Sequence, residues 1–359
     1  MARHDPRFAS LLDRFVCVRL VQCWGLDRRV FSFDPNLTLV VFFMNADGAV
    51  YGRFGTRDAR RGDRHVTARG LVQAMKGALE LHARWPQNRQ ALVAKWERRL
   101  RWQRPEQIPA LRGRVAPVAQ DRHSCFHCHF IQGGEILSKR RAGIPVEDRD
   151  LWCYPMPELL GFSLDPTQRA RVRHVRPESV AAEAGLQPGD DILLLDGQPL
   201  LSIADVQWVL HHAQDGDVLP MVVRRGGKQH QLALPLPHRW RRKGELSWRA
   251  ITWMLRAEVL GFHAEPLGPK ARAHLGLKPH QTAYRITRVA PAWNKHANPA
   301  ARKAGLHRGD VLLAVDGRRL PPTLSEFLAW IAQRTKPGQE VTLDLLRGDR
   351  RLRVRLRLR

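Results

Sequence analysis

Apolar and polar positions along this chain mark off short strands and a few amphipathic helices. Phe15-Val16-Cys17-Val18-Arg19-Leu20 is a β-rich run, and Leu37 to Met44 is an apolar run of the kind a buried strand needs. Asn45-Ala46-Asp47-Gly48 supplies turn chemistry, and Ala49 to Gly55 returns as the partner strand, so residues 37–55 are predicted to form a β-hairpin. Beyond it Thr67 can cap a helix in which Leu71, Val72, Met75 and Leu79 recur at helical spacing. Residues 86–121, rich in Arg, Pro, Gln and Trp, read as connector, with a helix across Arg89 to Trp102.

The second half repeats itself. Ala184-Gly185-Leu186-Gln187-Pro188-Gly189-Asp190, an apolar run and Asp196-Gly197 match Ala304-Gly305-Leu306-His307-Arg308-Gly309-Asp310, a second apolar run and Asp316-Gly317, at constant spacing. In each block the Gly before Leu ends a short helix and Gly-Asp makes a turn. The apolar run is then a buried strand, closed by an Asp-Gly turn. Upstream of each block stands Leu-Gly-Phe (Leu160-Gly161-Phe162 and Leu260-Gly261-Phe262), followed by a β-rich run ending in Val-x-Pro. Downstream, helices begin at Ser202 and Thr323, with Ile203, Val206 and Leu210 matching Leu324, Phe327 and Ile331 as the buried stripe.

On these residues the chain from about Pro157 to Arg359 resembles two tandem PDZ domains of the HtrA type, with the segment from Leu267 to Leu277 similar to an insertion such domains carry. The resemblance implies that the backbone at Leu160, Gly161 and Phe162, and at Leu260, Gly261 and Phe262, holds a peptide C-terminal carboxylate while the peptide adds as a strand. The string Phe42 to Gly55 and the helix after it resemble the second half of a thioredoxin fold, without its first strand and Cys-x-x-Cys helix. The fold expected is therefore α+β and multidomain. It comprises a partial thioredoxin-like α/β segment (1–85), a linker (86–156), PDZ domain 1 (157–236), a short linker (237–247) and PDZ domain 2 (248–359). A missing central strand would leave ladder bonds unmade, which leads us to expect a true start upstream of Met1.

Charge changes this picture little. The 60 Lys and Arg against 34 Asp and Glu give a net +26, but most are Arg scattered singly or alternating with apolar residues, as in Arg351 to Arg357. That is a strand with one wet face, so specific nucleic-acid binding is not expected. There is no apolar stretch long enough for a transmembrane helix and no signal peptide at Met1. Neither Gly-x-Ser-x-Gly nor Gly-Asn-Ser-Gly-Gly occurs, and the region before the repeats is short for a chymotrypsin-like domain, so proteolysis by this chain is not expected.

The remaining chemistry is His123-Ser124-Cys125-Phe126-His127-Cys128-His129, which contains Cys-x-x-Cys-His, the attachment motif of haem c. Two thiols would add across the haem vinyl groups, His129 would take the iron, and Met156 is a candidate sixth ligand. The same residues allow zinc held by Cys125, Cys128, His129 (or His127) and Cys153, or a redox dithiol. Cys17 and Cys23 carry no motif. The function expected is a cell-envelope redox or haem c protein that uses its PDZ modules to hold a protein or peptide partner. The alternative is a non-catalytic PDZ scaffold with a structural zinc. Location follows the start: periplasm or envelope if it lies upstream, cytoplasm if Met1 is real.

Overall fold

The structure, a computed structural model, describes every residue except 1–5, 21–22, 60–61, 63, 94, 97–99, 113–127 and 292. The elements run α1 (Pro6–Leu12), β1 (Val41–Met44), β2 (Val50–Phe54), α2 (Ala68–His82), α3 (Arg89–Val93), α4 (His129–Arg141) and α5 (Asp148–Leu151). Then follow β3 (Phe162–Leu164), β4 (Val172–Val175), α6 (Val180–Glu183), β5 (Asp191–Leu195), β6 (Gln198–Pro199), α7 (Ile203–His212), β7 (Val218–Arg225) and β8 (Lys228–Pro235). The last part has α8 (Ile251–Met254), β9 (Phe262–Pro266), α9 (Pro269–His274), β10 (Tyr284–Val289), α10 (Ala300–Lys303) and β11 (Val311–Val315). It ends with β12 (Arg318–Arg319), α11 (Leu324–Arg334), β13 (Glu340–Arg347) and β14 (Arg350–Arg357). Contacts divide the chain into two units, Met1–Cys128 with Trp152–Gly244, and His129–Leu151 with Glu245–Arg359.

In the first unit β1 and β2 form the expected antiparallel hairpin, Val41 opposite Phe54. Thr67 caps α2, its hydroxyl accepting the Gly70 N–H at 3.0 Å. Phe43, Tyr51 and Phe54 of the hairpin pack on Ala74, Met75 and Ala78 of α2. Two expectations change. Only Val41–Met44 of the apolar run is strand, because its partner β2 is itself short. The run Phe15 to Leu20 is no strand: Val16 and Val18 are 94% and 77% exposed, since strand propensity without a partner strand buries nothing. The hairpin is a two-stranded sheet, and no further strand of a thioredoxin core joins it among the described residues.

The rest of the first unit is β-rich. A sheet in the order β6-β5-β7-β8 meets the β3-β4 pair through an isolated bridge between Arg171 and Asp191. Phe162, Leu164, Val172, Ile192, Leu195, Val206 and Leu210 share its core. Ser202 caps α7, accepting the Ala204 N–H at 3.0 Å.

The second unit carries one sheet in the order β14-β13-β11-β10-β9, with β12 on β11. Thr323 caps α11 by accepting the Glu326 N–H at 3.1 Å, and Leu324, Phe327 and Ile331 are buried as expected. Here α4 packs on α8. Gly133 permits it, since a Cβ there would lie 2.3 Å from the Met254 sulfur. From α4 the buried Arg140 donates to the carbonyls of Ile331, Ala332 and Thr335 at 2.5, 3.0 and 3.0 Å, satisfying the free C-terminal end of α11. Burial lowers the Arg140 pKa to about 10.

Both halves of the repeat use the same turn chemistry. Asp196 and Asp316 have φ of 49° and 50°, and Gly197 and Gly317 follow at 70° and 69°, the paired positive values of a tight hairpin turn.

Candidate functional site

The two Leu-Gly-Phe segments stand at equivalent places. Leu160 and Leu260 are buried, and Gly161 and Gly261 reverse the chain at φ of 95° and 78°. Nothing larger fits: a Cβ on Gly161 would lie 2.2 Å from the Ser179 Cβ, and one on Gly261 2.4 Å from the Asn298 carbonyl oxygen. The Gly161 N–H is donated to the Glu158 carbonyl at 3.2 Å, and the Gly261 N–H to the Arg256 carbonyl, so both amides close the preceding helical turn. Their carbonyls accept the N–H groups of Arg176 at 2.7 Å and Ala290 at 2.8 Å.

Those last two bonds fix the direction of the next residue. They flank the pairs Phe162 with Val175 and Phe262 with Val289, which are therefore the pairs without mutual hydrogen bonds. The N–H and C=O of Phe162 and Phe262 consequently project away from β4 and β10, on the side where β3 and β9 pair with no other strand among the described residues. Each domain thus has a short strand edge behind a left-handed glycine, and α7 or α11 meets the helical turn that precedes that glycine. The opposite edges are blunted by charge. β14 carries Arg350, Arg351, Arg353, Arg355 and Arg357, and β8 carries Lys228 and His230.

Each domain also holds the same ion pair at its Gly-Asp turn. Asp190 accepts Arg225 Nε and Nη2, both at 2.7 Å, while Arg225 also reaches the Gly185 carbonyl at 2.8 Å. Asp310 accepts Arg347 Nε at 2.7 Å and Nη2 at 2.8 Å, and Arg347 reaches the Gly305 carbonyl at 2.7 Å. Burial pushes both carboxyls up, but the Arg hydrogen bonds and the N–H groups of Gln187 and His307 outweigh it and hold them below the ordinary range.

Among the described residues, the cysteine, histidine and methionine positions of the expected cluster find other partners. Cys125 lies outside the described residues. Cys128 donates its thiol to the Pro35 carbonyl at 3.5 Å, and His129 opens α4 in the second unit, its ring 6.3 Å from that of Trp253. The Met156 sulfur lies 3.8 Å from the Thr56 hydroxyl oxygen, and Cys153 is buried with its sulfur 4.0 Å from the Asp34 carboxylate. Among the described residues no three His, Cys, Asp or Glu side chains converge as metal ligands. The haem c set of Cys125, Cys128, His129 and Met156 and the zinc set completed by Cys153 are therefore both corrected.

Comparison with known proteins agrees. Residues 171–225 and 275–358 each match the PDZ domain family, so the chain carries two tandem PDZ domains. It is similar to a probable periplasmic serine endoprotease DegP-like of Pseudomonas savastanoi pv. phaseolicola, 27% identical over 192 residues, 53% of this chain and 37% of that protein. A probable periplasmic serine protease do/HhoA-like of Haemophilus influenzae is 26% identical over 188 residues, 52% of this chain and 35% of that one. The chain thus spans little more than a third of the length of these relatives. Among solved structures, the HtrA3 PDZ domain bound to a phage-derived ligand is 28% identical over 18% of this chain and 60% of its own, with a TM-score of 0.17. An HtrA-type protease, AlgW, with a decapeptide is 16% identical over 40% and 50%, with a TM-score of 0.24. The Pseudomonas and Haemophilus relatives are named as serine proteases, which overturns the reading of this chain as a redox or haem c protein and, with the ligand geometry above, the zinc-stapled alternative.

Three buried charged side chains that the sequence did not single out meet one another in the first unit. Arg53, Lys95 and Asp205 are each almost wholly buried and meet one another, with Lys95 Nζ 3.4 Å and Arg53 Nη1 3.7 Å from Asp205 Oδ1. Arg53 sits in the hairpin, Lys95 in the stretch read as connector, and Asp205 on α7.

Proposed function

We propose that this protein is a peptide-recognition component of an HtrA-type system, in which a PDZ groove takes the C-terminus of a partner polypeptide as an added strand. The observation that carries this is the outward N–H and C=O of Phe262 on the free edge of β9, directly after the left-handed Gly261. PDZ domains bind extended peptides by strand addition to such an edge. The first domain offers the same geometry at Phe162. The DegP-like and HhoA-like relatives are named as periplasmic, which supports action in that compartment and a role beside proteolysis there.

The test is calorimetric titration of the full chain with a decapeptide ending in Val, as free acid and as C-terminal amide. The free acid is expected to bind and the amide to bind at least about tenfold more weakly, a difference of about 1.4 kcal/mol. Gly261→Ala should weaken the free acid, because the loop cannot hold its path with a Cβ against the Asn298 carbonyl. Equal binding of acid and amide would rule the reading out.

A further inference from the structure

We infer that the groove of the first PDZ domain is already filled by the protein's own chain, residues 55–58 with 64–67, so that a partner C-terminus is read by the second domain until that segment is released. This rests on the reading of the grooves given above and names how one of them is regulated.

The segment bridges both walls of the first groove. On the α7 wall, the strand β2 that leads into the segment is held first: Ser202 Oγ donates to the Arg53 carbonyl at 2.5 Å, and Asp205 Oδ1 accepts the Arg53 N–H at 3.1 Å. Thr56 donates its hydroxyl to Gln207 Oε1, and the Gln207 amide nitrogen donates to the Tyr154 carbonyl at 2.8 Å, two residues before Met156. On the strand wall, Thr67 Oγ1 donates to the Pro166 carbonyl in the turn after β3 at 2.7 Å, and Gly70 passes so close to that carbonyl that a Cβ would lie 2.2 Å away. Between the walls, Phe54, Thr56 and His65 face Pro166, Ser202 and Ile203 across a space of about 10 Å³, room for one water at most.

The helices differ in the way this predicts. All eight residues from Ile203 to Leu210 of α7 are buried, including the polar Asp205 and Gln207. In α11 the positions equivalent to Asp205 and Val209, Glu326 and Trp330, stay half-exposed. Two buried polar groups of α7 find partners in the hairpin and the segment after it, Asp205 Oδ1 in the Arg53 N–H and Gln207 Oε1 in the Thr56 hydroxyl, and Arg53 also lies 4.8 Å over the Trp208 ring.

Hydrogen exchange tests this on the full chain. Gly55→Ala is the releasing variant, since Gly55 has φ of 117° and its Cβ would lie 2.2 Å from the Leu39 carbonyl oxygen, while the residue itself belongs to neither PDZ domain. Thr56→Val, which removes only the hydroxyl, is the milder second variant. Without peptide, the fragment containing residues 162–164 and α7 is expected to exchange at least about tenfold faster in Gly55→Ala, and faster in Thr56→Val, with residues 262–266 unchanged. With the Val-ending decapeptide, the wild type should gain protection at 262–266 alone, and Gly55→Ala at 162–164 as well. Unchanged exchange at 162–164 in both variants, or peptide protection there in the wild type at the concentration that protects 262–266, would overturn the inference. If the peptide protects neither domain in any protein, the C-terminus reading fails, while the peptide-free comparison still decides whether the segment covers the groove.

Discussion

Lys95 shows how a single side chain can bind parts of one unit that the sequence keeps far apart. Its ammonium donates to the carbonyls of Tyr51 and Pro199, both at 2.7 Å, and faces Asp205. Burial lowers its pKa to about 8 against the pull of Asp205. Between about pH 8 and 10.5 the unfolded chain therefore holds a proton that the folded one has released, and this group makes stability rise with pH across that window. Lys95→Met is expected to lose about 3 kcal/mol at pH 7, as breaking one side of a buried ion pair does. It should also lose the extra rise between pH 8 and 10. Urea unfolding of both proteins at several pH values measures this, and parallel pH profiles would refute it. Nothing in the sequence distinguishes Lys95 from its basic neighbours, because its role comes from hydrogen bonds to residues 44 and 104 positions away.

At the scale of elements the repeat was legible and the hairpin partly so. Left-handed positions at Gly185, Gly305, Gly197 and Gly317 demand glycine, so turn chemistry wrote itself into the sequence twice. The caps at Ser202 and Thr323 follow the same logic. The run Phe15 to Leu20 misled because propensity describes a strand only where a partner exists, and the Cys-x-x-Cys-His spacing misled because ligands converge by tertiary placement, not by sequence distance. The Asp-Arg pairs at the Gly-Asp turns, by contrast, were not foreseen, although their residues repeat. Arg225→Met and Arg347→Met should each cost their own domain about 2 kcal/mol. Both carboxyls are held low when folded, so this stabilisation is present above the ordinary carboxyl range and lost as pH falls below it through the lowered folded values. Each variant should therefore flatten the acid limb of its domain's unfolding curve. A full cost in one domain and none in the other would show that the pairs are not equivalent.

For the whole molecule, the units are discontinuous in sequence, and one consequence can be measured at α11. Arg140 joins the helix at its last carbonyls from a segment that precedes the first PDZ domain. Arg140→Met is expected to speed exchange of the last turn of α11 at least about tenfold, whereas Arg141→Met, whose guanidinium lies only 4.0 Å from Glu258, should leave that turn within about twofold. Equal effects would show that Arg140 adds nothing as a cap. The same arrangement sets an order of events during synthesis. Arg140 is made 195 residues before its partner Thr335, so at about 5–20 residues per second α4 leaves the ribosome roughly 10–40 s ahead of the helix it caps. During that interval the whole of the first PDZ domain is made, and Ile131, Ile136 and Leu137, buried in the finished fold, have none of their later neighbours from Glu245 onward to cover them. A newly made chain therefore carries a helix whose buried face is still uncovered, and a chain ended soon after Gly244 would hold the residues of the first unit beside a 129–141 stretch deprived of the neighbours that bury it.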